Sequence, residues 1–576
     1  MPRRSGRLTW RLFIVAVVLT ASAAGLVGRL AYLQIVRHDH YVREAQGEHI
    51  SRQVVRAPRG AILDRNGYPL ATTVQAYDIY IERKAWQDPQ VARQAAELLA
   101  PIVGQEPEAI LGAVLSDEKG DYLLAWGLDF DAGRRIIELA PAGVKAVNSF
   151  SRHYPEGDLA SALIGFLGRD HVGLAGLEAT YDKALGGTPG SVYFERDSLG
   201  NPIALGRRYG REPQAGSDIR LTIDRYVQRL AEDELDRQVA AHGASGGTIM
   251  VMDPRTGAIL AMASRPSFHL TQLDLSGEVD LELFRNRAVS DVYEPGSVMK
   301  VVTMATAVDL GLVGPNSTYY DEGVVEVPGA TIENWDFSVN GLTTATQLLQ
   351  KSLNTGAVWL SGLIGPERFY EYLQRFGFGE ETHVGLGGEA AGLLRSSDED
   401  GWYPVDLATN SFGQGIAATP LQMITAVAAL ANEGRLMRPY VVQEVAGPHG
   451  QRVFEPVAVR QAVSEYTAKT LVQMMTEVVE GVPYHLARTP GYRVAGKTGT
   501  TLVSIPGGYA LNSTIASFVG FAPAEDPQII MLVKIDQPQD DPLGGIVAAP
   551  VFRELAPQIL AYLGVEPDGT QFVQGP

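Results

Sequence analysis

The sequence predicts an α+β fold: an N-terminal transmembrane helix, a β-rich domain after it, and a larger domain whose helices pack on an antiparallel sheet. Three observations carry this. An uncharged stretch flanked by arginines runs from Leu12 to Gly28. Turn signals and glycine punctuation dominate residues 56–235. From residue 245 two apolar strands, a series of helical patterns and three more strands follow in that order.

The stretch "LFIVAVVLTASAAGLVG" sits at the short end of the spanning range of about 17–25 residues. Arg3, Arg4, Arg7 and Arg11 precede it, so the positive-inside rule places residues 1–11 in the cytoplasm and the rest of the chain outside. A signal peptide cut after Ala23 is the alternative; Arg29 and Tyr32, which suit a membrane interface, favour a retained anchor. A juxtamembrane segment, 29–55, follows.

Within 56–235, Asn66-Gly67 is a hairpin turn between the apolar runs Ala61–Leu63 and Tyr68–Ala71. Residues 88–146 read as an inserted subdomain of small helices. "DIRLTIDRYVQRLAEDELDRQVA" reads as a strand leading into an amphipathic helix. The larger domain, 245–565, opens with "GGTIMVMDPRTGAILAMAS", two strands around an Asp253–Gly257 turn. Helices are expected at 298–310, 343–363, 366–376, 419–432 and 464–480. The strands "RVAGKTGTT", "TIASFVGFAP" and "QIIMLVKID" come next, then a last helix and a tail, 566–576.

Composition narrows the function classes. With 45% hydrophobic and 20% charged residues the 576-residue chain suits a globular body, and a net charge of −18 carries no nucleic-acid signature. Zero cysteines exclude disulfides, thiolate catalysis and Cys-ligated zinc. His38 and His40 lack a third ligand nearby, so no metal or cofactor is expected.

Residues 491–500, "GYRVAGKTGT", match the nucleotide-binding pattern G-x-x-x-x-G-K-[ST]. That pattern works only between a strand and a helix whose N-terminus holds the phosphates. Here threonines, then Pro506-Gly507-Gly508, follow Lys497, which is strand and loop composition. Lys497 needs another role.

"EPGSVMK" supplies its partners. Pro295-Gly296 make a turn that puts Ser297 at a helix start, and three-residue spacing places Lys300 on the same face, the arrangement of a nucleophile and its base. The same spacing at Ser116 and Lys119 lies in a solvated turn and is discarded. Ser352 and Asn354 of "SLN" converge only in a loop between helices, because residues two apart do not share a helix face; "SVN" at Ser338 and Asn340 reads as a turn. S-x-x-K, S-x-N and K-T-G, in this order, form the motif set of penicillin-recognising enzymes.

At this point the chain resembles the class B penicillin-binding proteins, membrane-anchored D,D-transpeptidases that cross-link peptidoglycan, over nearly its whole length. "RGAILDRNGYPLA", "HYPEGDLASALIGFLG" and "GLEATYDKALGGTPGS" look like the family's pedestal. "RNRAVSDVYEPGSVMK", "SFGQGIAATPLQM" and "AGKTGT" look like its transpeptidase domain. "FRNRAVSDVYEPGS" and "GGIVAAPVFREL" are most similar to the division-type branch, penicillin-binding protein 3. Leu353 departs from the pattern, whose middle position is more often polar.

The resemblance implies a penicillin-recognising fold and acyl transfer in two steps. Ser297 attacks the penultimate D-Ala carbonyl of a stem peptide, D-Ala leaves, and an amine from a second stem takes the acyl group. Lys300 is the implied base, with its pKa lowered by burial beside Lys497, and Ser352 the relay to the leaving amine. Asn354 would hold the substrate backbone, Lys497, Thr498 and Thr500 would meet its terminal carboxylate with Gly499 among the substrate-binding residues, and the backbone amides of Ser297 and Thr500 would form the oxyanion hole. Implied partners are stem peptides ending in D-Ala-D-Ala, β-lactams, a SEDS-type glycosyltransferase, divisome proteins and the membrane. A D,D-carboxypeptidase, a serine β-lactamase, an elongation-type transpeptidase and a non-catalytic wall-binding scaffold are the alternatives. Glu294 reads as a surface residue, and Gln414 as one that positions backbone.

Overall fold

The computed structural model describes residues 6–42, 50–115, 120–195, 203, 206, 208–273, 280–448 and 450–568. Ser116 and Lys119 lie outside them, as do residues 1–5 and 569–576 of the expected tails. The chain forms two compact units, residues 1–58 with 187–215, and residues 59–186 with 216–576.

The first unit contains helix α1 (Gly6–Ala31), continued by a π-turn over Tyr32–Val36. It exceeds the expected 12–28 because Arg11 and Arg29 extend the helix at either end of the apolar stretch. Among the described residues it is the one helix long and apolar enough to cross a membrane. The Thr20 hydroxyl donates back to the Ala16 carbonyl at 2.9 Å, so it is satisfied within the helix. Strands Ile50–Val55, Gly190–Glu195 and Arg208–Arg211 form an antiparallel sheet with Gly190–Glu195 in the middle.

The second unit begins with the expected hairpin, β1 (Ile62–Leu63) and β2 (Pro69–Ile81). Gly67 takes φ +88° at its turn, and the Asp64 carboxylate accepts from the backbone N–H groups of Asn66 and Tyr68, both at 2.8 Å. Residues 88–146 depart from the expected run of helices. Helices Pro89–Val103, Pro107–Val114 and Phe130–Leu139 are present, but β3 (Tyr122–Asp129) and β4 (Val144–His153) both pair with β2. "YLLAWGLD" has apolar residues at both parities, so its period of two is not visible in the sequence. β5 (Asp218–Leu221) runs parallel to β1, and strands Val442–Gly447 and Gly450–Val453, from far downstream, extend the same sheet.

The elements of the rest of the chain that build the sheet and the site are, in chain order, α2 (Arg225–Ala241), β6 (Gly246–Met252), β7 (Ile259–Arg265), α3 (Met299–Asp309), α4 (Ala345–Lys351), α5 (Asn354–Ile364), α6 (Pro420–Ala431), α7 (Glu465–Val479), β8 (Ala495–Ile505), β9 (Gly508–Ala522), β10 (Ile529–Asp536) and α8 (Ala549–Tyr562). The five strands form an antiparallel sheet in the order β7-β6-β10-β9-β8. Both faces are buried. Ile249 and Val251 pack with Val227 of α2 and Phe552 of α8, while Met250 and Met252 share a core with Val301, Met423 and Leu471 of α3, α6 and α7. Burial on both faces explains why β6 and β10 read as continuous apolar runs. Lys497 lies inside β8 and the next element is β9, antiparallel to it. No helix follows to hold a phosphate.

A buried ionic cluster closes the N-terminal part of this unit. Glu178, fully buried, accepts from Arg59 Nε at 2.6 Å and Arg152 Nε at 2.7 Å, and Arg59 also reaches Asp182 at 2.7 Å. It ties the segment before β1 to β4 and to the short helix Gly176–Thr180. Replacing Glu178 with Ala strands two nearly buried guanidinium groups and is expected to cost roughly 3–5 kcal/mol, read as a lower midpoint of denaturant unfolding. An unchanged midpoint would mean that the cluster contributes nothing to stability.

Candidate active site

Gly296–Val298 forms one 3-10 turn that runs directly into α3, and Ser297 is its middle residue. Three-residue spacing at a helix start stacks the side chains of Ser297 and Lys300. Lys300 Nζ is 3.0 Å from Ser297 Oγ. The turn is clamped by backbone. Gly296 (φ +56°) donates its N–H to Gly413 O at 3.1 Å, and a Cβ on Gly413 (φ +84°) would lie 2.2 Å from the Gly296 carbonyl oxygen. This accounts for "SFGQG": its first glycine lets a second loop back the nucleophile, and Gln414 contributes backbone there, its N–H donating to Thr409 O at 3.0 Å.

As expected of a loop between two helical patterns, the 343–363 region divides at Ser352 into α4 and α5. Ser352 caps α4 in the left-handed region, φ +57° and ψ +42°, a conformation costing about 1–2 kcal/mol for a side chain with a Cβ. The break turns Ser352 and Asn354 toward one point. Lys300 Nζ donates to Ser352 O at 2.5 Å, to Asn354 Oδ1 at 2.8 Å and to Ser352 Oγ at 3.3 Å. Leu353, between them, is fully buried in the helical core and anchors the loop from below.

A buried network absent from the sequence reading holds this loop. Asn334 Oδ1 accepts from the N–H groups of Asn354 (3.0 Å) and Thr355 (3.3 Å), capping α5 from a distant segment. Asn334 Nδ2 donates to Asp321, which also accepts from Thr355 Oγ1 at 2.7 Å and Asn340 Nδ2 at 2.7 Å. Burial pushes the Asp321 carboxyl up, but these hydrogen bonds outweigh it and hold the group below the usual range. Asn340, the "SVN" residue, therefore works in the support of the site. Neutral amides and a lone Asp scattered over 321–340 carry no spacing signal that would reveal this.

Lys497 reaches the cluster from β8, the edge strand. Its Nζ donates to Ser352 Oγ at 3.0 Å and to Thr498 O at 3.0 Å, with Thr498 Oγ1 at 3.5 Å. Gly499 is where β8 passes closest to the nucleophile turn: a Cβ there would stand 2.4 Å from Ser517 Oγ and 2.9 Å from Pro295 O. A Cβ on Gly296 would lie 2.9 Å from Thr500 O, so the Thr500 carbonyl faces the edge that β9 does not cover. Its N–H points the same way, as both groups of one residue do in an antiparallel strand. The Thr500 hydroxyl accepts from Gly544 N–H at 3.0 Å, which joins "GGIVAAPVFREL" to β8.

The electrostatics follow from burial. Lys300 and Lys497 are each 1% exposed. Burial pushes Lys497 down to about 7, and burial together with the Lys497 charge drives Lys300 well below the ordinary lysine range. Burial, with the charges of Lys497 and Arg488 adding to it, likewise lowers His485 to about 4. Among the described residues no carboxylate bonds to the side chains of Ser297, Lys300, Ser352 or Lys497.

Glu294 differs from expectation. It is half-buried, accepts from Gly415 N–H at 3.1 Å, and takes the Tyr509 hydroxyl on both oxygens at 3.1 Å. Burial raises its carboxyl, partly offset by those two donors.

Comparison with known proteins gives the family. The model of the penicillin binding protein transpeptidase domain matches residues 247–556, and that of the penicillin-binding protein dimerisation domain matches 54–221. The chain is 35% identical to stage V sporulation protein D of Bacillus subtilis, covering 94% of this chain and 84% of that protein. It is 33% identical to peptidoglycan D,D-transpeptidase FtsI of Escherichia coli K12, covering 97% and 93%. Its fold is similar to penicillin binding protein 3 from Mycobacterium tuberculosis complexed with ampicillin, at a TM-score of 0.69 and 28% identity over 91% of this chain and 98% of that one. An S-x-x-K, S-x-N and K-T-G set gathered around two buried lysines, on a chain matched by these domain models and relatives, places the protein in its family: it belongs to the penicillin-binding protein transpeptidases.

Proposed function

We propose that this protein is a serine D,D-transpeptidase that cross-links peptidoglycan stem peptides through an acyl-enzyme on Ser297 and is inactivated by β-lactams. The observation that carries the reading is the buried Lys300 amine 3.0 Å from Ser297 Oγ, with Ser352 bridging it to Lys497. A neutral Lys300 takes the Ser297 proton as Oγ attacks the D-Ala carbonyl. Ser352, within reach of both lysines, passes that proton to the departing D-Ala amine. The open edge of β8 accepts the donor peptide as an added strand, with Thr498 and Thr500 near its terminal carboxylate and Asn354 on its backbone. The N–H groups of Ser297 and Thr500 stabilise the oxyanion. Among the described residues no carboxylate bonds to the side chains of Ser297, Lys300, Ser352 or Lys497, which speaks against a water-activating acid built into this cluster as in a class A β-lactamase.

The domain division that goes with it is tail 1–11, anchor 12–28, juxtamembrane segment 29–55, pedestal 56–235, transpeptidase domain 245–565 and tail 566–576. The two family-model matches support the main boundaries. The arginines before the apolar stretch, Arg3, Arg4, Arg7 and Arg11, favour a cytoplasmic N-terminus with the catalytic domain outside. The relatives named peptidoglycan D,D-transpeptidase FtsI support the cross-linking reaction; the role in septal wall synthesis, with a SEDS-type glycosyltransferase and divisome proteins as partners, rests on the resemblance to the division-type branch.

Benzylpenicillin is expected to leave a long-lived adduct on Ser297, seen by intact mass and peptide mapping. Ser297→Ala and Lys300→Ala should abolish it, and Lys497→Ala should slow it. An adduct elsewhere, or many turnovers of penicillin per enzyme, would sink the assignment.

The acylation rate should rise with pH through an ionisation far below the ordinary lysine value, since only neutral Lys300 acts as base. Lys497→Ala removes a charge that lowers Lys300, so the rising limb should move to higher pH. A limb that stays in place would separate Lys497 from activation of the nucleophile.

Replacing residues 1–42 with an unrelated membrane anchor should spare penicillin acylation yet lose septal function. Retained function in cells would remove the anchor from partner recognition.

A further inference from the structure

Aminolysis of the acyl-enzyme has a proton count that the lysine and serine relay does not close. On the reading above, the Ser297 proton leaves with D-Ala, so the acyl-enzyme holds Lys300 neutral. At neutral pH the acceptor arrives as R–NH3+. One of its three protons stays in the new amide, and one returns to Ser297 Oγ as the ester bond breaks. The remaining proton needs a base, and charging Lys300 beside Lys497 is disfavoured by burial and by the neighbouring cation.

Glu294 stands three residues before the nucleophile, and the contacts that hold it are distinct from those of Lys300, Ser352, Asn354 and Lys497. Gly415 N–H fixes its carboxylate, and that glycine belongs to the loop whose Gly413 backs the Ser297 turn. Nucleophile and carboxylate thus share one support. The other donor is the hydroxyl of Tyr509, which lies opposite Ser504 near the turn between β8 and β9. Tyr509 is the titratable group facing Glu294, and burial, with the Glu294 charge adding to it, pushes it up to about 12, so it stays a neutral donor. Half-burial leaves part of the Glu294 carboxylate open to solvent.

We propose that Glu294 is the acceptor-amine base. The ammonium docks against its carboxylate and gives it one proton. The neutral nitrogen attacks the ester carbonyl carbon and forms the C–N bond. Collapse breaks the C–Oγ bond, the second N–H proton passes through Ser352 and Lys300 to Ser297 Oγ, and Glu294 returns its proton to solvent. This rests on the acyl-enzyme reading above; a purely structural Glu294 would only clamp the β8–β9 hairpin through Tyr509.

The test uses a thioester donor with D-alanine as acceptor, with the ratio of aminolysis to hydrolysis product as readout. In Glu294→Gln, penicillin labelling of Ser297 should persist, while that ratio falls on the order of 10²-fold at neutral pH. The deficit should shrink as pH passes the pKa of the acceptor amine, which then arrives already neutral. A wild-type ratio, or a loss equal at every pH, overturns the proposal. Tyr509→Phe removes the clamp and keeps the carboxylate: a retained ratio supports the proposal, and a lost one assigns Glu294 to the clamp. Absence of penicillin labelling in the unsubstituted protein would instead overturn the acyl-enzyme reading.

Discussion

Two amino groups buried in one pocket are the constraint on which the rest of the site depends. Lys300 and Lys497 lie at the two ends of a short hydrogen-bonded path through Ser352 Oγ. Dehydrating two ammonium ions side by side is costly, so the pocket favours a state with one of them neutral. Lys300, lowered by burial and by its neighbour's charge, is the natural neutral partner, and it is the one in contact with Ser297. Poor solvation of charge thereby supplies a base that an exposed lysine would not be at neutral pH.

Holding that pocket together requires three chain segments that have no local reason to meet. The nucleophile turn is pressed between the Gly413 loop and β8, and both contacts are so close that no Cβ fits. Ser352 sits in a strained left-handed conformation, maintained because Asn334 and Asp321 cap and brace the loop on its far side while Leu353 is sunk in the core. β8 lies at the sheet's edge, so one row of its backbone groups faces the cleft.

The same rows of residues serve fold and site together. β6 and β10 form the middle of the sheet and are buried on both faces, which makes a rigid platform under the edge strand. Strands Val442–Gly447 and Gly450–Val453 leave the larger domain to extend the sheet built on β1 and β5. The boundary between the two sequence domains is therefore not a boundary in hydrogen bonding.

Much was legible from local pattern alone: the apolar N-terminal stretch, the Asn66-Gly67 hairpin, the β6–β7 pair, and the helices that follow Ser297 and flank Ser352. Each is written in contacts within a few residues, where periodicity and turn chemistry act directly. The motif residues were legible too, because Ser297 and Lys300 share one helical turn and the third motif has a distinctive composition. Illegible were β3 and β4, whose partners lie far along the chain and whose apolar residues fall at both parities. So were the Asp321–Asn334–Asn340 brace and the half-buried Glu294. Sequence alone singled out the motif residues on which the proposed chemistry rests. Only the tertiary structure decided their protonation and reach, because burial, pKa and hydrogen-bond geometry depend on atoms that distant segments bring together.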